Sequence, residues 1–345
     1  TEKKVRDSMS KLDQNNIYAP NEVSTLGYEQ AKKAAEHSQF GIELRIKGTT
    51  PAVHEYFAPL LPWEICAVQA QTSNGKTMFT NFWERQIVNQ LKEQKRDEII
   101  IHVSLEESIE AKAFTEYGRA LNVKPADFAR GSFTDWSRMM WAKSQLDGVP
   151  IWRIGDSAGR PDDAPELTLS NIYRAIKELT SGNITGEPWK PAVVIVDYLQ
   201  ALPIDPEVKT ANRTDQRRLQ VASDVFRLRD MTKHLQCPII VPLQAKQDLD
   251  GSNPPYMIPG LYDGMETSAI ATRFDRMISL WLPKTTYPVG STARNKDGSV
   301  SIAVKEDQCF MKVNKQRGGL PAGMTWELRV DYNKQEYFDT YYKGE

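Results

Sequence analysis

The stretch Ala70-Gln71-Thr72-Ser73-Asn74-Gly75-Lys76-Thr77 is the part of this 345-residue sequence that decides its fold. An apolar run precedes it, and the segment after it carries apolar residues at helical spacing. A strand, a polar turn ending in Gly-Lys-Thr and a helix form a phosphate-binding loop, because backbone N–H groups and the helix N-terminus attract an anion. We assign nucleotide binding to Ser73, Asn74, Gly75, Lys76, Thr77 and Met78.

Two side chains of this stretch carry chemistry of their own. Lys76 is placed to reach the β and γ oxygens of a nucleoside triphosphate, so we count it as catalytic, and the Thr77 hydroxyl is placed to bind Mg²⁺. Ala70 departs from the strict motif, which has glycine there, and glycine permits backbone geometries that alanine resists. The alternative interpretation is an ordinary polar loop beside an exposed lysine.

Short apolar runs separated by helical stretches continue along the chain from about residue 60. This alternation predicts an α/β fold with a mainly parallel sheet flanked by helices. Near the C-terminus, runs at Ser301 to Val304, Cys309 to Val313 and Thr325 to Val330 predict antiparallel strands that extend the same sheet. The earlier strands are expected at Ile65 to Gln69, Glu98 to Ser104, Ile151 to Ile154, Ala192 to Asp197, Pro238 to Pro242 and Met277 to Leu282.

Carboxylates follow or end two of these strands. Glu106 lies where ligands bind in open α/β sheets, so we assign it as the base that polarises the attacking water. Ser104 and Glu107 also fit a helix capping box, S-x-x-E, which makes Glu106 a first-turn residue; Glu107 as cap and Glu106 as base are compatible. Asp197 ends an apolar run and is assigned to Mg²⁺, held directly or through water. The alternative for Asp197 is an aspartate that merely ends a buried strand.

Composition excludes several other classes of protein. The formal net charge is -1, so nucleic-acid binding must depend on local basic loops. The three cysteines are far apart and the four histidines include no pair at metal-ligand spacing, which predicts a reducing, cytoplasmic compartment and no zinc. The apolar runs are only strand-length, so no membrane span is expected.

Residues 1–45 are polar and have little apolar periodicity apart from a modest helical stretch near Tyr28 to His37. We interpret them as an arm or linker, and residues 46–345 as the ATPase domain. The sequence begins without methionine, which fits either the removal of an upstream domain or a processed terminus.

Several ordered stretches resemble the C-terminal motor domain of the bacterial replicative helicase (DnaB-type) family, a branch of the RecA-like P-loop ATPases. The resemblance runs from about residue 45 to the end, and Asp197-Tyr198-Leu199-Gln200 and Lys315-Gln316-Arg317 are its most specific parts. The other stretches that carry it are Ser73 to Thr77, Ser104 to Glu106, Ile195 to Val196, Gln244 and Asp263 to Ile270.

The resemblance implies ATP and Mg²⁺ as cofactors and a homo-oligomer, a hexamer, with ATP between subunits. It further implies that Gln244 senses the γ-phosphate and that Lys315 and Arg317 reach the neighbouring subunit's nucleotide. These two cations stand beside a Gly-Gly turn on a predicted hairpin that can project outward. A solvated hairpin tip is the alternative for them, and an ordinary polar residue at a sheet edge is the alternative for Gln244.

The segment that matches the family's DNA-gripping loop departs from the family. Met265 replaces the usual arginine and Ser268 the usual glycine, while Glu266 remains, and methionine cannot contact a phosphate as arginine does. Basic residues in or after the long loop at 203–215 offer compensation, so we assign Arg213, Arg217 and Glu266 to nucleic-acid binding. The alternative for the arginines is the solvated face of a helix.

The sequence thus predicts an ATP-hydrolysing, oligomeric RecA-like motor that acts on single-stranded DNA, as replicative helicases do. The alternative is a RecA-like ATPase switch or scaffold whose partner is a protein, and the departures in the DNA loop favour it. A scaffold that has lost hydrolysis is disfavoured because Lys76, Thr77, Glu106 and Asp197 are all present.

Overall fold

The computed structural model describes residues 19–37, 41–48, 52–203, 213–247, 255–264, 268–295, 298–318 and 321–339. Contacts divide the chain into two compact units, Thr1–Gly41 and Ile42–Glu345. The first unit contains helix α1 (Pro20–His37), which begins earlier than the expected stretch. Proline at the first position is preorganised for a helix, and the Glu22 carboxylate accepts a hydrogen bond from the Ala19 N–H at 2.7 Å.

The second unit is built on a mixed sheet. Its described strands are β1 (Ile65–Ala70), β2 (Ile99–Ser104), β3 (Ile151–Gly155), β4 (Pro191–Asp197), β5 (Ile239–Gln244), β6 (Arg276–Trp281), β7 (Thr292–Arg294), β8 (Ser301–Ala303), β9 (Gln308–Gln316), β10 (Thr325–Asp331) and β11 (Glu336–Asp339). The order in the main sheet is β11-β10-β9-β6-β1-β5-β4-β2-β3. Strands β6 to β3 in that order are parallel, and β9, β10 and β11 extend the sheet in antiparallel fashion. The predicted α/β class with C-terminal antiparallel strands is confirmed.

Helices cover both faces of the sheet. They are α2 (Val53–Tyr56), α3 (Lys76–Glu93), α4 (Ile109–Leu121), α5 (Pro125–Ala129), α6 (Trp136–Leu146), α7 (Leu169–Thr180) and α8 (Arg213–Leu235). On one face, α3 packs in a core that includes residues of β10 and β11. On the other, α7 and α8 pack against the parallel strands, and α7 buries Leu169, Ile172, Ile176 and Leu179 along one stripe. Because both faces are covered, β1, β2 and β4 are fully buried and their sequences are nearly continuous apolar runs.

One strand prediction was wrong. The run that begins at Ser301 does form a strand, β8, but it pairs with β7 in a separate two-stranded sheet and does not extend the main one. The alternating pattern specifies which side chains are buried and leaves the pairing partner open. A small apolar cluster that includes Ala293, Ile302 and Trp281 holds this pair.

The parallel arrangement gives the sheet two chemically distinct edges. We call the edge at the carboxyl ends of β1, β2, β4 and β5 the carboxyl edge; it comprises residues 70–77, 104–107, 197–198 and Gln244. The opposite edge, the amino edge, comprises Glu64, Asp275, Arg276 and the end of β9 at residues 315–317. None of the described helices combines the length and apolarity that a membrane span requires.

Candidate nucleotide-binding site

The loop between β1 and α3 accommodates alanine at its first position. Ala70 is the last residue of β1, so its backbone is extended, and its methyl group is buried in the core on the α3 side. The left-handed conformations fall later, at Ser73 (φ 63°) and Gly75 (φ 77°). Glycine is therefore needed at residue 75 and not at residue 70.

Buried contacts hold this loop from behind. The Asn74 side-chain oxygen accepts hydrogen bonds from the Leu282 N–H at 2.8 Å and from the Thr285 hydroxyl at 3.0 Å. The Tyr337 hydroxyl donates to the Gly75 carbonyl oxygen at 3.3 Å, and a Cβ at Gly75 would lie only 3.2 Å from that hydroxyl. The Asn74 side chain therefore supports the loop from the protein side, while Met78 packs partly buried against the core.

Lys76 begins α3 and lies over the ring of Tyr198, with 4.0 Å between Nζ and the ring centroid. Burial lowers the pKa of Lys76, and the negative charges of Asp197 and Glu106 partly oppose that shift. Two carboxylates, one at the end of β4 and one on the bend after β2, therefore lie near one ammonium group.

Asp197 ends β4 and is almost completely buried. Its Oδ2 lies 3.9 Å from Nζ of Lys112, whereas its Oδ1 has no hydrogen-bond partner among the described residues. The Leu105 N–H donates to the Asp197 carbonyl oxygen at 2.8 Å, which joins the ends of β2 and β4. A buried carboxylate oxygen without a partner is costly, so this position suits a cation.

Glu106 lies on a bend between β2 and α4 and is exposed. The capping box expected for Ser104 and Glu107 is wrong: α4 begins only at Ile109, and its cap is Ser108, whose Oγ accepts from the Ala111 N–H at 3.2 Å. The chain bends for three residues after β2, so Ser104 lies too far from the helix to cap it. Instead, the Ser104 hydroxyl donates to the Glu107 carbonyl oxygen at 2.8 Å.

Gln244 ends β5 directly beside Ala70 of β1. Its side-chain Nε2 donates to the Thr72 hydroxyl at 2.6 Å, and Gln247 Nε2 donates to the same hydroxyl at 3.2 Å. Gln200 bridges to Gln244 through two weaker backbone contacts, at 3.3 and 3.4 Å. The structure therefore links the predicted sensor to the phosphate loop through Thr72, a residue that the sequence did not single out.

A family model, the DnaB-like helicase C terminal domain, matches residues 51–337 of this sequence. The chain belongs to this family.

Solved structures support the same fold. One solved ATPase domain has a TM-score of 0.64 and 18% sequence identity, with 94% of this chain and 99% of that chain covered. A structure of a DnaB-like replicative helicase and its interactions with primase has a TM-score of 0.65 and 16% identity, with coverages of 94% and 67%. No curated protein sequence matches the chain.

A DnaB-like helicase domain is an ATP-driven motor on single-stranded DNA, so this chain is an NTP-hydrolysing enzyme of that class. The loop described above lies between a strand and the N-terminus of a helix, which is the position of the phosphate-binding loop in P-loop domains. The RecA-like architecture that the resemblance implied is thereby confirmed.

Lys315 and Arg317 of this helicase domain lie at the amino edge and are bonded within the subunit. Nζ of Lys315 donates to the Ala271 and Thr272 carbonyl oxygens at 2.8 and 3.1 Å. Arg317 donates to the Thr272 oxygen at 2.6 Å and lies 3.0 Å from Oδ1 of Asp275. The expected hairpin of β9 and β10 exists, but the two cations fold back onto their own subunit and do not project outward.

Arg217, one of the residues assigned to nucleic acid, is also used internally. Its guanidinium donates to the carbonyl oxygens of Leu202, at 2.8 Å, and Gln200. It therefore holds the segment that follows Asp197. The side chain of Arg213 and the whole of Glu266 lie outside the described residues, as does Met265.

Proposed function

We propose that this domain hydrolyses Mg·ATP at sites shared between two copies of the chain, with the carboxyl edge of one subunit facing Lys315 and Arg317 of the next. The observation that carries this proposal is that the two groups of residues occupy opposite edges of one sheet. A homo-oligomer, a hexamer in our proposal, follows from that separation.

The pairing of β6 with β1 and with β9 determines how far Lys315 and Arg317 lie from the phosphate loop of the same subunit. β6 is parallel to β1, and the end of β9 pairs with its beginning: Arg276 faces Gln316, and Met277 faces Lys315. The phosphate loop follows the other end of β1, about six residues or roughly 20 Å away at the rise of an extended strand. Neither cation can therefore reach the nucleotide of its own subunit, whereas a closed ring brings unlike edges together.

Several residues at the carboxyl edge have specific roles in this proposal. Backbone N–H groups of residues 73–78 and the Lys76 ammonium bind the phosphates, and Glu106, exposed beside Lys76, orients and polarises the attacking water. Gln244 exchanges its bond with Thr72 for one with the γ-phosphate. That exchange links nucleotide binding to the end of β5.

The residues present fit a magnesium ion. The Thr77 hydroxyl and the unpartnered Oδ1 of Asp197 would hold it, and it would neutralise charge on the phosphates. Among the described residues no three Asp, Glu, His or Cys side chains converge to form a complete cage. That arrangement suits Mg²⁺, which keeps several waters and is bound through few carboxylates together with phosphate.

Arg317 acts as the arginine finger of the neighbouring site. To do so it must release Thr272 and Asp275, which hold it in the isolated subunit. An arginine finger contributes about 10³- to 10⁵-fold in rate, so assembly would switch hydrolysis on.

We further propose that the arm, residues 1–45, packs on the adjacent subunit, since α1 exposes Val23, Leu26 and Tyr28.

Mixing two inactive variants tests the shared site. Glu106→Gln lacks the catalytic base and Arg317→Ala lacks the finger, and neither should turn over ATP alone. In mixed oligomers about one interface in four, by random pairing, combines an intact Glu106 with a neighbour's intact Arg317. Activity that returns on mixing supports the proposal, whereas mixtures as inactive as their components would refute it.

Single-stranded DNA provides the second test. Steady-state ATP hydrolysis is expected to rise with single-stranded DNA and to lose this stimulation as salt rises, because counterions compete for phosphate contacts. Lys76→Ala serves as the control for contaminating ATPase. Hydrolysis indifferent to DNA would contradict the DNA-driven motor and favour a protein as the partner.

Removal of residues 1–41 should reduce the size of the oligomer measured by light scattering. An unchanged size would exclude the proposed role of the arm.

A further inference from the structure

A buried lysine lies directly behind the proposed metal-binding carboxylate. Only 2% of Lys112 is exposed, and its Nζ donates to the Asn81 side-chain oxygen at 2.9 Å. The same ammonium lies 3.5 Å from Oε2 of Glu107 and 3.9 Å from Oδ2 of Asp197. Three segments, α3, the bend after β2 and the end of β4, thus meet at one cation.

The position of this lysine within its helix is unfavourable by itself. Lys112 is the fourth residue of α4, where its N–H donates to the carbonyl oxygen of the cap residue Ser108 at 3.0 Å. The N-terminal turn of a helix carries a partial positive charge, so a cation there is disfavoured. Burial adds a desolvation cost. The hydrogen bond to Asn81 and the two nearby carboxylates offset these costs, and the carboxylates are the groups that require a positive charge at this position.

The two carboxylate oxygens of Asp197 have different neighbours. Oδ2 faces the Lys112 ammonium, and Oδ1 has no partner among the described residues. Asn81 lies one helical turn after Thr77, on the same face of α3, so Lys112 is held by the very helix that presents the Thr77 hydroxyl. Helix α3 therefore carries both Thr77, which we propose binds the metal, and Asn81, which holds Lys112.

We propose that Lys112 is a resident counter-cation: it balances Asp197 and Glu107 while the site holds no metal, fixes Oδ2 so that Oδ1 stays available, and prevents a free divalent cation from binding before the nucleotide. The metal then enters together with the nucleotide, whose phosphates supply the additional negative charge. This inference rests on the proposed role of Asp197. Lys112 is a positioning residue, since it acts through Asp197.

Binding of Mn²⁺ alone, measured by electron paramagnetic resonance on the full chain, tests the proposal without relying on hydrolysis. Lys112→Met removes the charge, Lys112→Gln removes it but keeps an N–H donor for Asn81, and Lys112→Arg keeps it. Both neutral variants should bind Mn²⁺ at least about tenfold more tightly than the wild type, because a positive charge within a few ångströms no longer repels the ion. The Arg variant should resemble the wild type.

Two controls isolate the effect. Asp197→Asn added to Lys112→Met should abolish the gained Mn²⁺ affinity. Lys190→Met removes a lysine at the other end of β4, where it pairs with Glu98, and should leave Mn²⁺ binding unchanged. Circular dichroism confirms that each variant is folded, and Lys112→Gln replaces Lys112→Met if the latter does not fold.

The outcomes separate this inference from the proposed function. If neither neutral variant gains Mn²⁺ affinity, yet Asp197→Asn weakens binding of Mn·ADP, the role of Lys112 is refuted while the metal role of Asp197 stands. If Asp197→Asn leaves Mn·ADP binding unchanged, the metal role of Asp197 fails, and the counter-cation fails with it. A gain in the neutral variants that Asp197→Asn removes supports the proposal.

Discussion

The carboxyl and amino edges of the same sheet differ in how completely their charged groups are paired. At the amino edge, Arg276 makes hydrogen bonds of 3.0 and 3.1 Å to both oxygens of Glu64, and Asp275 receives Arg229 at 3.3 Å and Arg317 at 3.0 Å. At the carboxyl edge, one oxygen of Asp197 lacks any partner among the described residues.

The difference separates the edge whose charged groups are paired within the protein from the edge that has a buried carboxylate oxygen left over for a ligand. Buried polar groups are normally satisfied inside a protein, and the amino edge follows that rule. The carboxyl edge leaves its binding capacity open, at a cost in stability that a functional site can bear. Arg317 is the exception at the amino edge, because its side chain remains 40% exposed and can exchange partners.

The largest expected effect follows from a substitution at the carboxyl edge. Lys76→Ala should reduce ATP turnover at least about 10³-fold, because it removes the charge that we propose contacts the transferred phosphoryl group. Steady-state hydrolysis measures the effect. Lys190→Ala, an exposed lysine far from the loop, is the matched control; equal losses in both variants would contradict a specific role.

The second prediction concerns the exception at the amino edge. Arg317→Ala should lower kcat about 10³-fold while nucleotide binding by the isolated subunit is unchanged. Arg229→Ala removes another arginine from the same Asp275 and should keep kcat within a few-fold of the wild type. Similar kcat values for the two variants would show that Arg317 is only an ion-pair partner.

The third prediction concerns the buried pair of Arg276 and Glu64 at the amino edge. Arg276→Met leaves Glu64 buried without its cation, which should lower the free energy of unfolding by about 3 kcal/mol. Chemical denaturation measures this loss. Double substitution of Arg276→Met with Glu64→Leu should recover much of the stability, and no recovery would indicate that the carbonyl oxygens of Ala58 and Pro59, which also accept from Arg276, matter more than the ion pair.

The smallest effect is a pH dependence at the carboxyl edge. Burial lowers the pKa of Lys76 below 10.5, so between its folded and unfolded values the folded state binds fewer protons and stability rises with pH. Lys76→Met removes this dependence. The variant should therefore exceed the wild type in stability near neutral pH, and the difference should shrink as pH approaches 10.5. A difference that stays constant across this range would contradict the cause given for the shift.

Local patterns in the sequence were enough to predict the strand, loop and helix around residues 70–77, the strand ending in Asp197 and the α/β class. The capping box failed because S-x-x-E describes only spacing, whereas the three-residue bend after β2 moves the helix start to Ile109. The pairing of β8 failed for a similar reason, since alternation does not name a partner strand.

Lys112 could not be identified from its sequence neighbours. It appears there as an ordinary helix residue between Ala111 and Ala113, and its partners Asn81 and Asp197 come from elements distant in the chain. The internal bonds of Lys315 and Arg317 are likewise tertiary contacts that no motif specifies. The sequence predicted which groups carry the chemistry, and only the fold shows what each of them contacts within the protein.

The contact between Tyr337 and Gly75 has a consequence for synthesis. The phosphate loop lies in the first quarter of the chain, but the side chain that supports it from behind, packed against Phe79 and Phe82, belongs to β11 near the other end. A growing chain on the ribosome therefore lacks one of the contacts that hold the loop until β11 has emerged, although the contacts of Asn74 with Leu282 and Thr285 are available earlier. The loop should therefore reach its final conformation late in translation, once both residues 282–285 and β11 have been made.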